Sequence, residues 1–410
     1  MNYSIIGCTC YNQQKSHKKG YLTVSAEITA PEIHKHTPKL PVRIAHVIGK
    51  IRNGGVESFI LNRYKYIDRS KVQYDCIIDE DSASPLIENK LVSFGGRIIR
   101  VPPYQKISEY HKALYSLFVQ NKYPLVYSHI NTLSVFSLFA AWRAGIPVRI
   151  AHSHSTAGKG RGEFKRNIMK YTLRPFAKVF PTHLCASSNL AGRWMFGEKT
   201  MRTGNVKVWS TAIEIERFVY NEAVRKEMRN CLRLYDKFVV GHVGRFVSQK
   251  NHDFLIDIFA EIHRRREDSV LLLVGEGPLI DDVKTKIHKL GLSEYVVFIG
   301  DVQAIERYYQ AMDVFILPSL YEGMPAVGSE VQVAGLPFLC SDTVTPEMKF
   351  CDNMRFISLK DSPSDWADEA LRISEGHIRK DMSIIARNAG FDVKTQAARL
   401  SEWYCELLGL

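Results

Sequence analysis

The sequence predicts an α/β chain of two parallel-sheet, Rossmann-like domains, and three observations carry that prediction. Short apolar runs alternate with amphipathic helical patterns along most of the chain, which is the rhythm of βαβ units. The length of 410 residues is enough for two full cores. Glycine-bearing loops follow strands at two comparable places, Asn53-Gly54-Gly55 and Gly244-Arg245-Phe246, where a backbone could approach a ligand closely. Composition agrees, since 45% hydrophobic and 24% charged residues are ordinary for a globular protein. No run approaches the roughly 18 apolar residues of a membrane span. The net charge of +12 suits an anionic partner: a nucleic acid, a phospholipid surface or a diphosphate. No recognised nucleic-acid motif accompanies it, so no nucleic-acid partner is expected. Among the eight cysteines only Cys8 and Cys10 are close, without a CxxC pair, as in a reduced, cytoplasmic protein.

Residues 1–40 are polar and punctuated by Pro31 and Pro38, without the apolar centre of a signal peptide, and read as a poorly ordered extension. Cys8, Cys10, His34 and His36 within it could bind a metal. The first domain is expected over 41–213. Its opening strand, Val42 to Ile48, leads into Gly54-Gly55-Val56-Glu57 and a helical pattern through Phe59, Ile60 and Tyr64. Strands follow near 73–78, 97–101 and 125–128. Asp79-Glu80-Asp81 formally makes a DxD metal pattern but directly follows a strand, where a solvated turn explains it and no metal site is expected. Histidines end the next two strands, in Ser128-His129-Ile130 and in Ala151-His152-Ser153-His154-Ser155. Both lie where open α/β sheets bind ligands. A basic run over 159–178 interleaves Lys165, Arg166, Lys170, Arg174 and Lys178 with Ile168, Met169 and Tyr171. It reads either as a solvated face or as a surface that lies on anionic lipid.

The second domain is expected over 214–392, starting with the strand Phe238 to Val243. Arg245 and Lys250 close the loop after it, a sensible place for cations that hold a diphosphate. The strand Leu271 to Val274 runs into Gly275-Glu276-Gly277, where a base or ribose could approach the backbone. Asp313 to Asp342 then forms a strand–loop–helix–strand unit. Val314 to Leu317 is its first strand, Pro325 suits the first helical turn, Gly335 suits a left-handed cap, and Leu336 to Cys340 is its second strand. Glu322 sits on the loop and Glu330 on the helix, with seven residues between them. Residues 393–410 form a closing helix.

This E-x7-E spacing, with the surrounding words LPSLYEG and AGLP, resembles the signature of retaining GT-B glycosyltransferases of family 4, of the capsular and exopolysaccharide type. The resemblance covers residues 42–408 and implies two Rossmann-like domains facing across a cleft, the last helix crossing back to the first domain. It implies an acceptor in the first domain and a nucleoside-diphosphate sugar, UDP-linked, in the second, with neither metal nor cofactor. Carried over by position, Gly54 and Gly55 face the donor diphosphate, and Arg245 and Lys250 hold it. Glu330 takes the ribose, Glu322 lies by the transferred sugar, and Gly244, Gly275, Gly323 and Met324 complete the nucleotide-sugar contacts. A histidine after the fifth strand touches the sugar; His154 fits that role better than His152, which stays open. One departure stands out: Thr211-Ala212 occupies the inter-domain linker where Asn-Gly is usual. The implied reaction moves a hexosyl group to a hydroxyl of a lipid-linked glycan, at the inner face of the cell membrane. A silent GT-B partner subunit and a sugar-nucleotide epimerase are the alternatives.

Overall fold

A computed structural model describes residues 40–51, 55–82, 85–156 and 164–410. Gly54, most of the N-terminal extension with its Cys and His residues, and Lys159 to Glu163 of the basic run lie outside the described residues. Seven strands build the first sheet: β1 Val42–Gly49, β2 Val72–Asp79, β3 Arg97–Val101, β4 Leu125–Ser128, β5 Val148–Ser153, β6 His183–Ala186 and β7 Val206–Val208. Six build the second: β8 Phe238–Val243, β9 Ser269–Val274, β10 Val296–Gly300, β11 Val314–Leu317, β12 Phe338–Ser341 and β13 Met354–Ile357. The orders are β3-β2-β1-β4-β5-β6-β7 and β10-β9-β8-β11-β12-β13, with every pairing parallel.

Alternation along each strand explains why these runs are apolar throughout. In the second sheet Val239, Leu272 and Phe315 enter one core, while Val240, Leu271 and Val314 enter the other. Helices cover both faces, so each side chain of a central strand is removed from water. Two local expectations shift by a residue or two. Pro325 stands just before the helix Ala326–Val333 with extended backbone (φ −70°, ψ 129°), and its ring sets the entry rather than the first turn. The last strand of that unit starts only at Phe338, because Pro337 lacks the N–H that a ladder needs. Gly335 adopts the left-handed cap (φ 66°).

The closing helix Val393–Leu408 returns to the first domain. Its Ala397, Leu400, Trp403 and Tyr404 share one core with Ile44, Tyr64 and Tyr74. The chain crosses between the sheets twice, and the crossings lie side by side: Ile213 N–H donates to the Phe391 carbonyl at 3.0 Å, and Val393 N–H to the Ile213 carbonyl at 3.0 Å. Buried Arg63 fastens them, donating to the Ser210 carbonyl at 2.7 Å and to Gln396. No helix of the described residues is long and apolar enough to cross a membrane.

Candidate active site

In each sheet the strand order reverses once, between β1 and β4 and between β8 and β11. A crevice opens outside the carboxyl ends of such neighbours, because the connections leave in opposite directions. The residues singled out from sequence follow these four strands or their neighbours.

On the first-domain side, Gly55 opens the helix Gly55–Tyr66, and a side-chain carbon there would meet open space. Glu57, in the first turn, is buried. The segment after β5 is held by Asn131, whose backbone is left-handed (φ 52°). Its carboxamide oxygen accepts from the N–H of His154 at 2.7 Å and of Ser155 at 3.3 Å. Ser187 Oγ donates to the His154 carbonyl at 3.1 Å. His152 is wholly buried within β5 and bonded to the Tyr127 hydroxyl at 2.8 Å. His154, by contrast, is partly exposed.

On the second-domain side, three donors fix the Glu322 carboxylate. Lys250 Nζ lies 2.7 Å from Oε1, Ser319 Oγ 3.1 Å from the same atom, and Gln249 Nε2 3.0 Å from Oε2. The pair is sheltered, with side-chain exposures of 15% for Lys250 and 10% for Glu322. Lys250 is therefore engaged by a carboxylate, whereas the Arg245 side chain is exposed and makes no ion pair among the described residues. Glu330 accepts from the Tyr309 hydroxyl at 2.7 Å. Burial raises its carboxyl from 4.5 to about 6, against the lowering effects of Tyr309 and Arg217.

Three glycines act differently from one another. Gly275 has φ 133°, and a side-chain carbon there would overlap the Gly244 carbonyl. The Gly275 N–H already donates to the Gly300 carbonyl at 2.8 Å, and the Gly244 N–H to the Val274 carbonyl at 3.0 Å. Both amides are thus engaged within the second domain. Gly323 instead faces the other domain, since a side-chain carbon on it would overlap the His154 carbonyl. Beside it, Thr211 Oγ1 donates to the Met324 carbonyl at 2.7 Å. The linker residue that departs from Asn-Gly thus ties the crossing chain to the Glu322 loop. The Met324 side chain points into the second-domain core, so only its backbone borders the cleft.

The acidic triplet after β2 does not converge on a common point. Asp81 pairs with Lys50 at 2.5 Å, Glu80 with Lys106 at 3.5 Å, and Asp79 is buried. The described residues do group three other candidate ligands, His129, His152 and His154, whose nitrogens lie within 4.8 Å of one another. Their geometry is poor for a metal. The rings of His152 and His154 stack at 3.9 Å and 8°, so an ion in the plane of one ring is out of the plane of the other. In the basic run, Lys170 donates to the Thr156 carbonyl at 3.3 Å, Lys178 to Thr200 at 3.1 Å, and Arg174 lies over the Trp194 ring. Ile168, Tyr171 and Phe176 are each more than half exposed there, as is Val179 just beyond it.

Asn131, Gln249, Ser319 and Tyr309 were given no role from sequence. Asn131 carried a signal, because Asn tolerates left-handed backbone at a strand end better than most residues. Ser319 reaches Glu322 within one loop, whereas Gln249 and Tyr309 become visible only when distant segments are adjacent.

Residues 237–375 match the family profile described as Glycosyl transferases group 1. EpsF of Bacillus subtilis, named as a glycosyltransferase, is 31% identical over 338 residues, covering 80% of this chain and 87% of its own length. The UDP-Gal:alpha-D-GlcNAc-diphosphoundecaprenol alpha-1,3-galactosyltransferase of Escherichia coli is 24% identical over 90% of this chain and 97% of its own. Among solved structures, Anabaena HepE in complex with UDP and glucose superposes with a TM-score of 0.70 at 18% identity, over 90% of this chain and 99% of that one, a likeness of fold. With two Rossmann-like domains in the GT-B arrangement and a relative of this similarity over most of its length, the chain belongs to the group 1 glycosyltransferases.

Proposed function

We propose that the protein transfers a hexosyl group, with retention, from a UDP-linked sugar to a hydroxyl of a lipid-linked glycan in cell-surface polysaccharide synthesis. One observation carries the reading: the Glu322-Gly323 loop of one domain abuts the His154-Ser155 backbone of the other, at the carboxyl ends of both switch-point regions. A sugar bound there meets both domains at once. In the reaction the bond from C1 to the phosphate oxygen breaks, and C1 joins the acceptor oxygen on the same face. The acceptor proton passes to the leaving diphosphate. Charge then develops on the diphosphate, and fixed donors that meet it lower the barrier, by about 3 kcal/mol for a well-placed one. Arg245, which makes no ion pair among the described residues, would take this role, while Lys250 would be shared between Glu322 and the diphosphate. Gly55, at the start of the helix Gly55–Tyr66, would meet the same charge from the first domain.

The donor and acceptor classes draw support from the name of the Escherichia coli relative, which specifies UDP-Gal and a diphosphoundecaprenol acceptor for that enzyme. Peripheral contact with an anionic inner membrane surface would run through 159–178, where exposed Ile168, Tyr171 and Phe176 lie among basic residues. The test is a panel of nucleotide sugars offered with a polyprenyl-diphosphate glycan, the product's anomeric configuration being read by NMR. Retained configuration, with full activity in excess EDTA, is expected. An inverted product, or activity lost to the chelator and restored by manganese, overturns the mechanism. A sugar-nucleotide product isomerised without any acceptor would instead identify an epimerase.

A further inference from the structure

Behind His154 lies a file of imidazoles drawn from three neighbouring strands or the turns that leave them. His46 Nδ1 is 3.0 Å from His129 Nε2, and His129 Nδ1 is 3.0 Å from His154 Nε2. His46 and His129 are each only 2% exposed. Facing the file are Arg63 and Phe59 from the first helix, Asp75 and Tyr74 from β2, Tyr127 from β4 and His152 from β5. We propose that His46 and His129 are positioning residues that lock the His154 ring in the tautomer with its proton on Nδ1, so that the cleft receives a neutral N–H donor suited to a sugar hydroxyl. The ligand rests on the transferase reading above; the tautomer does not.

The direction of the file follows from its buried end. Each neutral imidazole carries one proton, so the three hydrogen positions must run the same way along the file. His46 Nε2 is buried and has no hydrogen-bond partner. A proton there would orphan an N–H away from water, and native interiors tolerate a bare acceptor more readily than an orphaned donor. His46 therefore carries its proton on Nδ1 and donates to His129 Nε2. His129, with its own proton on Nδ1, donates to His154 Nε2. The His154 proton is left on Nδ1, on the far side of the ring, which bonds to none of the described residues and is absent from the buried, unpartnered atoms. Desolvation holds the file neutral: His46 and His154 are both lowered to about 3, and His129 is lowered too. His154 thus donates without ever carrying a charge near neutral pH, and this form is the less common one for histidine in water.

The test uses the full chain labelled with ¹⁵N-histidine, without ligand, near neutral pH, His154→Asn supplying the assignment. The His154 spectrum should show a protonated Nδ1 and a bare Nε2. His129→Asn places a carboxamide N–H where imidazole Nδ1 stood and should keep that tautomer and the wild-type kcat. His129→Phe removes the donor and the bond that holds the ring; the His154 spectrum should lose its single tautomer, and kcat should fall about tenfold, the worth of one hydrogen bond, while nucleoside-diphosphate binding stays unchanged. A proton on Nε2 in the wild type, an imidazolium, or one zinc ion bound per chain and lost in His129→Asn would each overturn the proposal. The wild-type spectrum decides even if a variant fails to fold, and it stands whether or not the transferase reading survives.

Discussion

Replacing Glu330 by Gln should make the unliganded protein more stable and the nucleotide complex weaker. The carboxyl is half-buried on the helix Ala326–Val333, with Tyr309 as its hydrogen-bond donor, and desolvation lifts it from 4.5 to about 6. A carboxyl raised in the folded state binds its proton more tightly there than in the unfolded chain. Folding therefore loses stability as pH rises from about 4.5 to about 6, and above that window the charge costs about 2 kcal/mol. Gln keeps an acceptor oxygen for Tyr309 and removes the charge. Near neutral pH the variant should melt higher, by about 4–8 °C if the second domain unfolds as one unit. Toward pH 4.5 the difference should fade. If the carboxylate accepts ribose hydroxyls, the same change should weaken nucleoside-diphosphate binding by about 1–3 kcal/mol. Thermal unfolding across that pH range, with calorimetric titration of UDP, reads both effects. A variant less stable than wild type at neutral pH would refute the buried-charge argument. Unchanged nucleotide affinity would refute the ribose assignment.

Glu322→Gln should lower kcat while nucleotide affinity stays nearly intact, because the carboxylate is fixed beside the proposed reacting centre; equal loss of UDP affinity with Glu330→Gln would end that division of labour. Lys250→Ala should reduce turnover more than tenfold, a threshold set by about 1.4 kcal/mol of lost charge stabilisation, with circular dichroism unchanged; wild-type kcat in a folded variant would remove it from the mechanism. Reversing the charges of Lys165, Arg166 and Arg174 should release the protein from vesicles of anionic lipid, as should salt that shortens screening below about 8–10 Å. Binding indifferent to both changes would leave the run a solvated face.

Strands were legible because burial on both faces writes itself as continuous apolar runs, as at Val314 to Leu317 and Leu271 to Val274. Positions of Glu322 and Glu330 on loop and helix followed from Pro325 and Gly335, which punctuate that unit. What those side chains touch did not follow. Lys250 meets Glu322 across 72 residues of sequence, and His46 meets His129 across 83, distances closed only by strand order. The packing of Gly275 against Gly244 was illegible for a related reason: a glycine demanded by a neighbouring loop looks the same in sequence as one demanded by a ligand. Thr211 shows the converse. Its mismatch with Asn-Gly looked like a loss, yet its hydroxyl bonds the Met324 carbonyl across the linker.

The return of the helix Val393–Leu408 to the first domain bears on how the chain can be made. Tyr64, Tyr74 and Ile44 share their core with Leu400, Trp403 and Tyr404, so part of that face stays uncovered while only the first domain has emerged from the ribosome. At elongation rates of about 5–20 residues per second, the interval between completing β7 and completing that helix is roughly 10–40 s. The second sheet takes the last of its core residues, Ala386 and Phe391, from just before that helix, so its cores can close first. During translation the domain made first is thus the one finished last, and for those seconds its bare aromatic face is what a nascent-chain chaperone would bind.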